Sequence, residues 1–313
     1  MIAHEQTGKP IIAVVGPTAS GKSDLGIALA LRAGGEIINC DSVQVYREIE
    51  IATAKVPLSE RRGVSHHLID FVPPGASYTA ADWARDALRV IDEIEARRSL
   101  ALLVGGSGFY LRALRLPFFE APPTDEDLRR RLARIRERRG AEYLHAILRR
   151  LDPATAARLQ PRDWSRVGRA IEVRLQTGVS LSAQSQGRPA PPPHAARLRV
   201  FALRPQRSEL YRRINLRTES HFHAGLVEEV ARLLERGVRA DSSALGAHGY
   251  RRVVEHLRGE RTLESAIEQT KLDVRHYAKR QLTWFRREAG VEWVEGFGDD
   301  PRVQEKVAAQ LGL

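Results

Sequence analysis

Cysteine is all but missing from this chain: of 313 residues, Cys40 alone carries a thiol. One thiol closes no internal disulfide and builds no cysteine-based metal cage, so neither a disulfide scaffold nor a thiolate zinc site is expected. Long apolar runs are missing too. The longest, such as IIAVV from Ile11, are strand-sized and far short of a bilayer span. No charged leader followed by an apolar stretch and a small-residue cleavage site opens the sequence, so the expected compartment is a reducing cytoplasm. Lysine is scarce, six residues against 44 arginines, and no internal repeat is visible.

What is present describes a soluble, globular and strongly basic protein. Hydrophobic residues make up 42% and charged residues 28%, with a formal net charge of +11. The charge is unevenly spread. Between Phe118 and Ala195 stand 15 Arg and nine acids, so a quarter of the chain holds +6 of the total. Such a surplus suits a polyanionic partner. No amphipathic anchor or lipidation signal accompanies it, which favours nucleic acid over a membrane.

The first part alternates strand and helix. PIIAVVG reads as a buried strand, KSDLGIALALRAG as a helix ended by Gly34, and GEIINCDS as a second strand. TAADWARDALRVIDEIEAR has apolar residues three and four apart, and SLALLVGG is a third buried strand. This order implies an α/β fold, a parallel sheet covered by helices. From EAPPTDEDLRRRLARIRERRG the character changes to Arg-dense amphipathic helices reaching about Thr177, opened by an N-cap signal at Thr124 with Asp127 three residues on. SAQSQGRPAPPPH reads as an exposed loop or hinge; RLRVFALR then resumes the core as a strand, with helices to the end. The expected organisation is a P-loop core over 1–117 and 196–313, with a helical insertion domain over 118–195.

The chemistry starts at GPTASGKS. Gly16, Gly21, Lys22 and Ser23 satisfy G-x-x-x-x-G-K-[ST] between a strand and a helix, the context that phosphate cradling requires. Backbone N–H groups of Gly16, Pro17, Thr18, Ala19, Ser20 and Gly21, proline excepted, turn towards phosphate oxygens, Lys22 adds charge, and the Ser23 hydroxyl suits Mg²⁺. Hydrolysis of a nucleotide usually needs a carboxylate at the end of another strand. LALLVGGSGFY offers none there; the acid instead ends the second strand, at Asp41. Asp41 is compatible with a metal ligand, a general base or the cap of the next turn.

GPTASGKS, DSVQVY, IATAKV, HHLID, YTAADWARDA, LLVGGSGFY and RVGRAIE occur in that order, followed by GLVEEV, GYR and YAKRQLTWFRR. Together they closely resemble the tRNA dimethylallyltransferase family, also called tRNA isopentenyltransferases, from about residue 11 to residue 293. The resemblance implies transfer of a dimethylallyl group from dimethylallyl diphosphate to N6 of the adenosine 3′-adjacent to the anticodon. It implies Asp41 as the base that takes the amine proton, with Lys22 and Mg²⁺ on Ser23 at the leaving diphosphate. Ser107 stands where the family usually has Thr in its GGTGLY-like motif, so a hydroxyl for substrate contact is kept. Phe109 replaces the usual Leu. Ala52 and Val56 depart from the common GTAKP, which leaves a local role for Lys55 open. Family contacts to tRNA, at the anticodon stem-loop, map to Asp41, Ser42, Val43 and Gln44, to Ser165, Arg166, Val167, Gly168 and Arg169, and to Arg129. Arg213 and Arg217, four apart on one expected helix face, are further candidates for diphosphate or RNA backbone. The eukaryotic relatives' C-terminal zinc finger has no counterpart, since Gly290 to Leu313 contains neither Cys nor His.

Bland readings stand beside these. His66 and His67 are adjacent, point apart and suit a structural role. Trp284 and Phe285 among basic residues fit base stacking or core packing equally. Cys40 reads as a buried strand residue. A small-molecule or nucleotide kinase would use the same loop but not the basic insertion. A prenyltransferase for free adenine nucleotides would share the core, and a non-enzymatic RNA-binding protein would have no use for the loop lysine, the hydroxyl and the carboxylate together. Nothing in the sequence demands more than a monomer.

Overall fold

In a computed structural model, which describes residues 8–116, 122–187 and 190–313, the apolar runs become strands. β1 (Ile11–Val15) is buried at every position, because a parallel strand covered on both faces has no solvent side. α1 (Lys22–Ala33) follows and stops where Gly34 turns left-handed at φ 60°. Next come β2 (Gly35–Asn39), the two-residue β3 (His66–His67), α2 (Ala80–Ala96), β4 (Leu100–Val104) and α3 (Gly108–Arg115). In α2 the local signals agree: Thr79 and Asp82 form a capping box, and Trp83, Ala87, Val90, Ile91 and Ile94 bury one stripe.

Five helices then run α4 (Glu126–Arg139), α5 (Ala141–Leu151), α6 (Pro153–Ala156), α7 (Trp164–Thr177) and α8 (Leu181–Gln186). A helical turn, α9 (Pro193–Ala196), leads into β5 (Leu198–Arg204). After it come α10 (Arg207–His223), α11 (Leu226–Glu235), α12 (Tyr250–Leu257), α13 (Leu263–Phe285), β6 (Val291–Glu295) and α14 (Pro301–Leu311). All strand pairs are parallel, in the order β3-β2-β4-β1-β5-β6. The carboxyl ends of β2, β4 and β1 therefore lie side by side, where open α/β sheets take their ligands.

The chain divides into two compact units, Met1–Arg115 with Pro192–Leu313, and Leu116–Pro191. The insertion is thus drawn four residues shorter at its end than the sequence reading had it, and α9 belongs to the first unit because it runs straight into β5. Phe118 lies outside the described residues. The second unit has its own core of Leu132, Leu144, Leu148, Ala156, Val167, Ala170 and Ile171, which α4, α5, α6 and α7 supply.

Three local expectations are corrected. The cap of α4 is Asp125, whose Oδ1 accepts Leu128 N at 2.9 Å, and not Thr124. Part of SAQSQGRPAPPPH is α8, capped by Ser180; its Arg188 and Pro189 lie outside the described residues. The C-terminal part is not all helix: VEWVE forms β6, paired to β5 from Val291 to Glu295. Its alternating side chains gave only a short strand signal between helical patterns.

Candidate active site

The loop after β1 is held in a conformation that an ordinary turn does not adopt. Gly21 has φ 79°, and a Cβ there would sit 2.7 Å from Asp299 N, so only glycine fits. Ala19 takes φ 63° without being glycine, a strained state of the kind concentrated at ligand sites. The loop lines a cavity of about 320 Å³ together with Asp24, Asp41, Gln44, the 53–57 segment, Glu60, Gly105, Arg217, Tyr277 and Gln281. Among the expected diphosphate residues, Thr18, Ala19, Ser20, Gly21, Lys22, Ser23 and Arg217 reach this cavity.

Two cations face it. Lys22 Nζ donates to Pro17 O at 2.8 Å, and Arg217 donates to Thr18 Oγ1. Burial, opposed by the Asp41 carboxylate, brings Lys22 down to about 8; Arg217 adds to the depression. Burial also lowers Arg217, again with Asp41 opposing. Beside Arg217, the half-buried His221 is pushed down to about 4 by desolvation and by Arg217, so it adds no charge near neutrality. Two desolvated cations thus share one carboxylate. The Ser20 hydroxyl in the same loop is buried and has no hydrogen-bond partner. These two cations and the orphaned Ser20 hydroxyl fit a bound anion with several acceptor oxygens, while Asp24 and Glu60 line the same cavity.

Asp41 is both a cap and a free acid. Its Oδ1 accepts Val43 N at 2.9 Å and Gln44 N at 3.4 Å, which fixes the turn after β2. Among the described residues its Oδ2 accepts no hydrogen bond. The Ser107 hydroxyl accepts Ser42 N at 2.9 Å and lies 3.2 Å from Ser42 Oγ, so the ends of β2 and β4 are tied through it. Gln44 donates to Thr53 O at 2.9 Å and Ala54 O at 3.2 Å, holding one cavity wall. Val43 packs partly buried against the cluster around Tyr46 and Leu245, which leaves mainly its backbone for contact. Lys55 is a staple: its Nζ donates to Tyr46 O, Glu50 and Asp70.

Arg213 does not reach the cavity. Its guanidinium donates to both oxygens of Asp299 at 2.9 Å and lies 3.8 Å over the Phe297 ring. Four residues along a helix share a face but stand about 6 Å apart along the axis, and only Arg217 is at the depth of the loop.

The insertion residues divide as well. Arg129 and Arg169 converge on Glu172, a fully buried carboxylate, at 3.3 Å and 2.9 Å. Arg169 also donates to Pro122 O. Both arginines are tied to the insertion's own fold. Val167 is in its core, fully buried. Ser165 is exposed, Arg166 is 70% exposed beside Asp163, and a Cβ on Gly168 would meet nothing within 4 Å. The exposed side of the motif is therefore Ser165, Arg166 and Gly168.

Sequence reasoning missed Gln281 and Tyr277, four apart on one face of α13. Gln281 Oε1 accepts Thr18 N at 2.8 Å, and its Nε2 donates to Gly106 O at 3.0 Å. A Cβ on Gly106 would lie 2.0 Å from that nitrogen, so the glycine admits the clamp. Burial pushes the Tyr277 phenol above its ordinary range. YAKRQLTWFRR contains both residues, but its Trp and Phe among basic residues are the stronger sequence signal. Phe285 is core, and Trp284 lies under the Arg112 guanidinium at 4.2 Å with Phe109 edge-on. His66 bonds Val64 O and His67 bonds Glu36, a structural pairing. Cys40 is buried, and burial pushes its thiol far up, which makes it inert.

A P-loop core with an acid at the neighbouring strand end and no carboxylate in the turn after β4 suits a group transferase. The profile of the IPP transferase family matches residues 44–288. The tRNA dimethylallyltransferase of Solibacter usitatus is 46% identical over 308 residues, spanning 97% of this chain and 99% of the relative. The crystal structure of a full-length tRNA isopentenylpyrophosphate transferase from Bacillus halodurans has a TM-score of 0.69 at 38% identity, covering 97% of both chains. A eukaryotic dimethylallyltransferase captured acting on tRNA gives 0.79 at 26% identity, over 97% of this chain and 78% of that one. This chain belongs to the tRNA dimethylallyltransferase family, transferases that act by prenyl transfer.

Proposed function

We propose that this chain transfers the dimethylallyl group of dimethylallyl diphosphate to N6 of the adenosine 3′-adjacent to the anticodon in tRNA. The observation that carries the reading is the pair of desolvated cations, Lys22 and Arg217, on a cavity that also presents the open oxygen of Asp41. The C1–O bond breaks and its electron pair leaves on the diphosphate, where the loop N–H groups, Lys22, Arg217 and the Ser20 hydroxyl receive the new charge. The N6–C1 bond forms, and the amine proton passes to Asp41 Oδ2. Ser107, which ties the turn after β4 to the Asp41 turn through Ser42, orients the amine. The donor diphosphate would occupy the cavity, and the adenine would be drawn out of its stack, at a cost of a few kcal/mol.

Mg²⁺ belongs to the same proposal. Ser23, Asp24 and Glu60 line the cavity, and burial together with the nearby Asp299 and Glu60 carboxylates raises the Asp24 carboxyl. Ser23 and these carboxylates would hold the ion, which would supply charge to the leaving diphosphate. No helix among the described residues is long and apolar enough to cross a membrane. A monomer working in the cytoplasm completes the reading.

Phosphoryl transfer finds less support. The acid it needs beyond β4 has no room: a Cβ on Gly105 would lie 2.1 Å from Cys40 O. The deciding assay incubates the protein with radiolabelled dimethylallyl diphosphate, Mg²⁺ and unmodified tRNA bearing that adenosine, with AMP and ATP as parallel acceptors. Label in the one tRNA adenosine is expected. Label in the free nucleotides, or in nothing while folded protein transfers phosphate from ATP, overturns the reading.

A further inference from the structure

Among its described residues the insertion carries two aromatic side chains that its own core does not use. Trp164, the first residue of α7, is 50% exposed, and Tyr143 on α5 is 46% exposed. Each has an α4 guanidinium laid over its ring: Arg136 at 4.2 Å from the Trp164 centroid and Arg139 at 5.4 Å from that of Tyr143. Arg136 and Arg139 are three apart on one helix, so the two stacks lie side by side along one face. Neither arginine has a carboxylate partner among the described residues. Trp164 also directly precedes the exposed Ser165 and Arg166.

We propose that Trp164–Arg136 and Tyr143–Arg139 form a stacking surface for unpaired bases of the RNA substrate. Resting on the tRNA reading above, this adds the part of the insertion that discriminates a loop from a duplex. Exposed indole and phenol rings offer faces to any splayed base, and a guanidinium plane stacks in the same way. Cations without acid partners supply the backbone charge that single strands need. The insertion sequence is itself basic, 15 Arg against nine acids between Phe118 and Ala195, which favours a polyanion over a protein partner.

The test measures the Kd of labelled, unmodified tRNA and of a fully paired RNA duplex across a salt series, for the wild type, Trp164→Ala, Trp164→Phe and Arg136→Gln. Loss of one stacked base predicts that Trp164→Ala raises the tRNA Kd roughly five- to a hundredfold, with the salt slope unchanged. Trp164→Phe restores most of that loss, and duplex affinity does not move. Arg136→Gln, which leaves the ring in place, lowers the salt slope by about one, a change that a merely structural pair does not produce. An unaltered tRNA Kd in Trp164→Ala overturns the proposal and returns these aromatics to a protein contact or a solvated face. An equal loss on tRNA and duplex overturns it as well. Wild-type protein that shows this loop preference but transfers no prenyl group would fail the functional reading and leave the stacking surface standing.

Discussion

Gln281 accepts the backbone N–H of Thr18 at 2.8 Å across 263 positions of sequence. Through its other carboxamide atom it holds Gly106 O, so one side chain sets the spacing between the phosphate loop and the turn that carries Ser107. Gln281→Leu should therefore fold normally yet lower kcat/KM for the donor about tenfold, the worth of one or two hydrogen bonds. Gln281→Glu keeps an acceptor for Thr18 and should lie between. Steady-state kinetics with each substrate varied would check this; equal rates for Gln281→Leu and wild type would reduce the clamp to packing.

Asp41 separates capping from chemistry because it uses one oxygen for each. Asp41→Asn keeps an acceptor for Val43 N but removes the basic oxygen. Single-turnover prenyl transfer should fall by about 10²–10⁴, the range for a positioned general base, while tRNA affinity holds. Retention of wild-type turnover would assign Asp41 to the cap alone.

The Lys22 ammonium, brought down to about 8 by burial, gives donor binding a pH dependence. The charged form binds the diphosphate, so affinity is full below about 8 and weakens as pH rises through it. Binding must then take up a proton. Isothermal titration in buffers of different ionisation enthalpy should show that uptake above pH 8. Lys22→Met should bind weakly and lose the Lys22 component of the dependence.

Glu172 holds Arg129, Arg169 and the Asp125 N–H from a fully buried position. Glu172→Ala leaves those donors without their acceptor and should destabilise the insertion by about 3–5 kcal/mol. Hydrogen exchange should report it as lost protection over α4 and α7 with the sheet unchanged. Uniform loss in both units would contradict the separate core.

The strands IIAVV and LALLV, the Gly34 stop and the phosphate loop are legible because each is written in neighbouring residues: a continuous apolar run, a glycine where φ must be positive. The motifs in order identified the family on the same basis. What the sequence left open depended on contacts between distant segments. Arg213 and Arg217 share a helix face, yet only packing decided that Arg217 meets Thr18 while Asp299 takes Arg213. The family resemblance puts Arg129 and Arg169 at the tRNA, whereas the fold brings both onto the buried Glu172. Gln281 and Tyr277 become site residues only when α13 crosses the ends of β1 and β4. The sequence by itself determined the phosphate cradle, the alternation of strand and helix, and the acid at Asp41. Tertiary structure alone decided which cations face the cavity and which are already neutralised. The reason is physical: periodicity tells which side of an element is apolar, whereas a charge acquires its role from whatever the folded chain brings within a few ångströms of it.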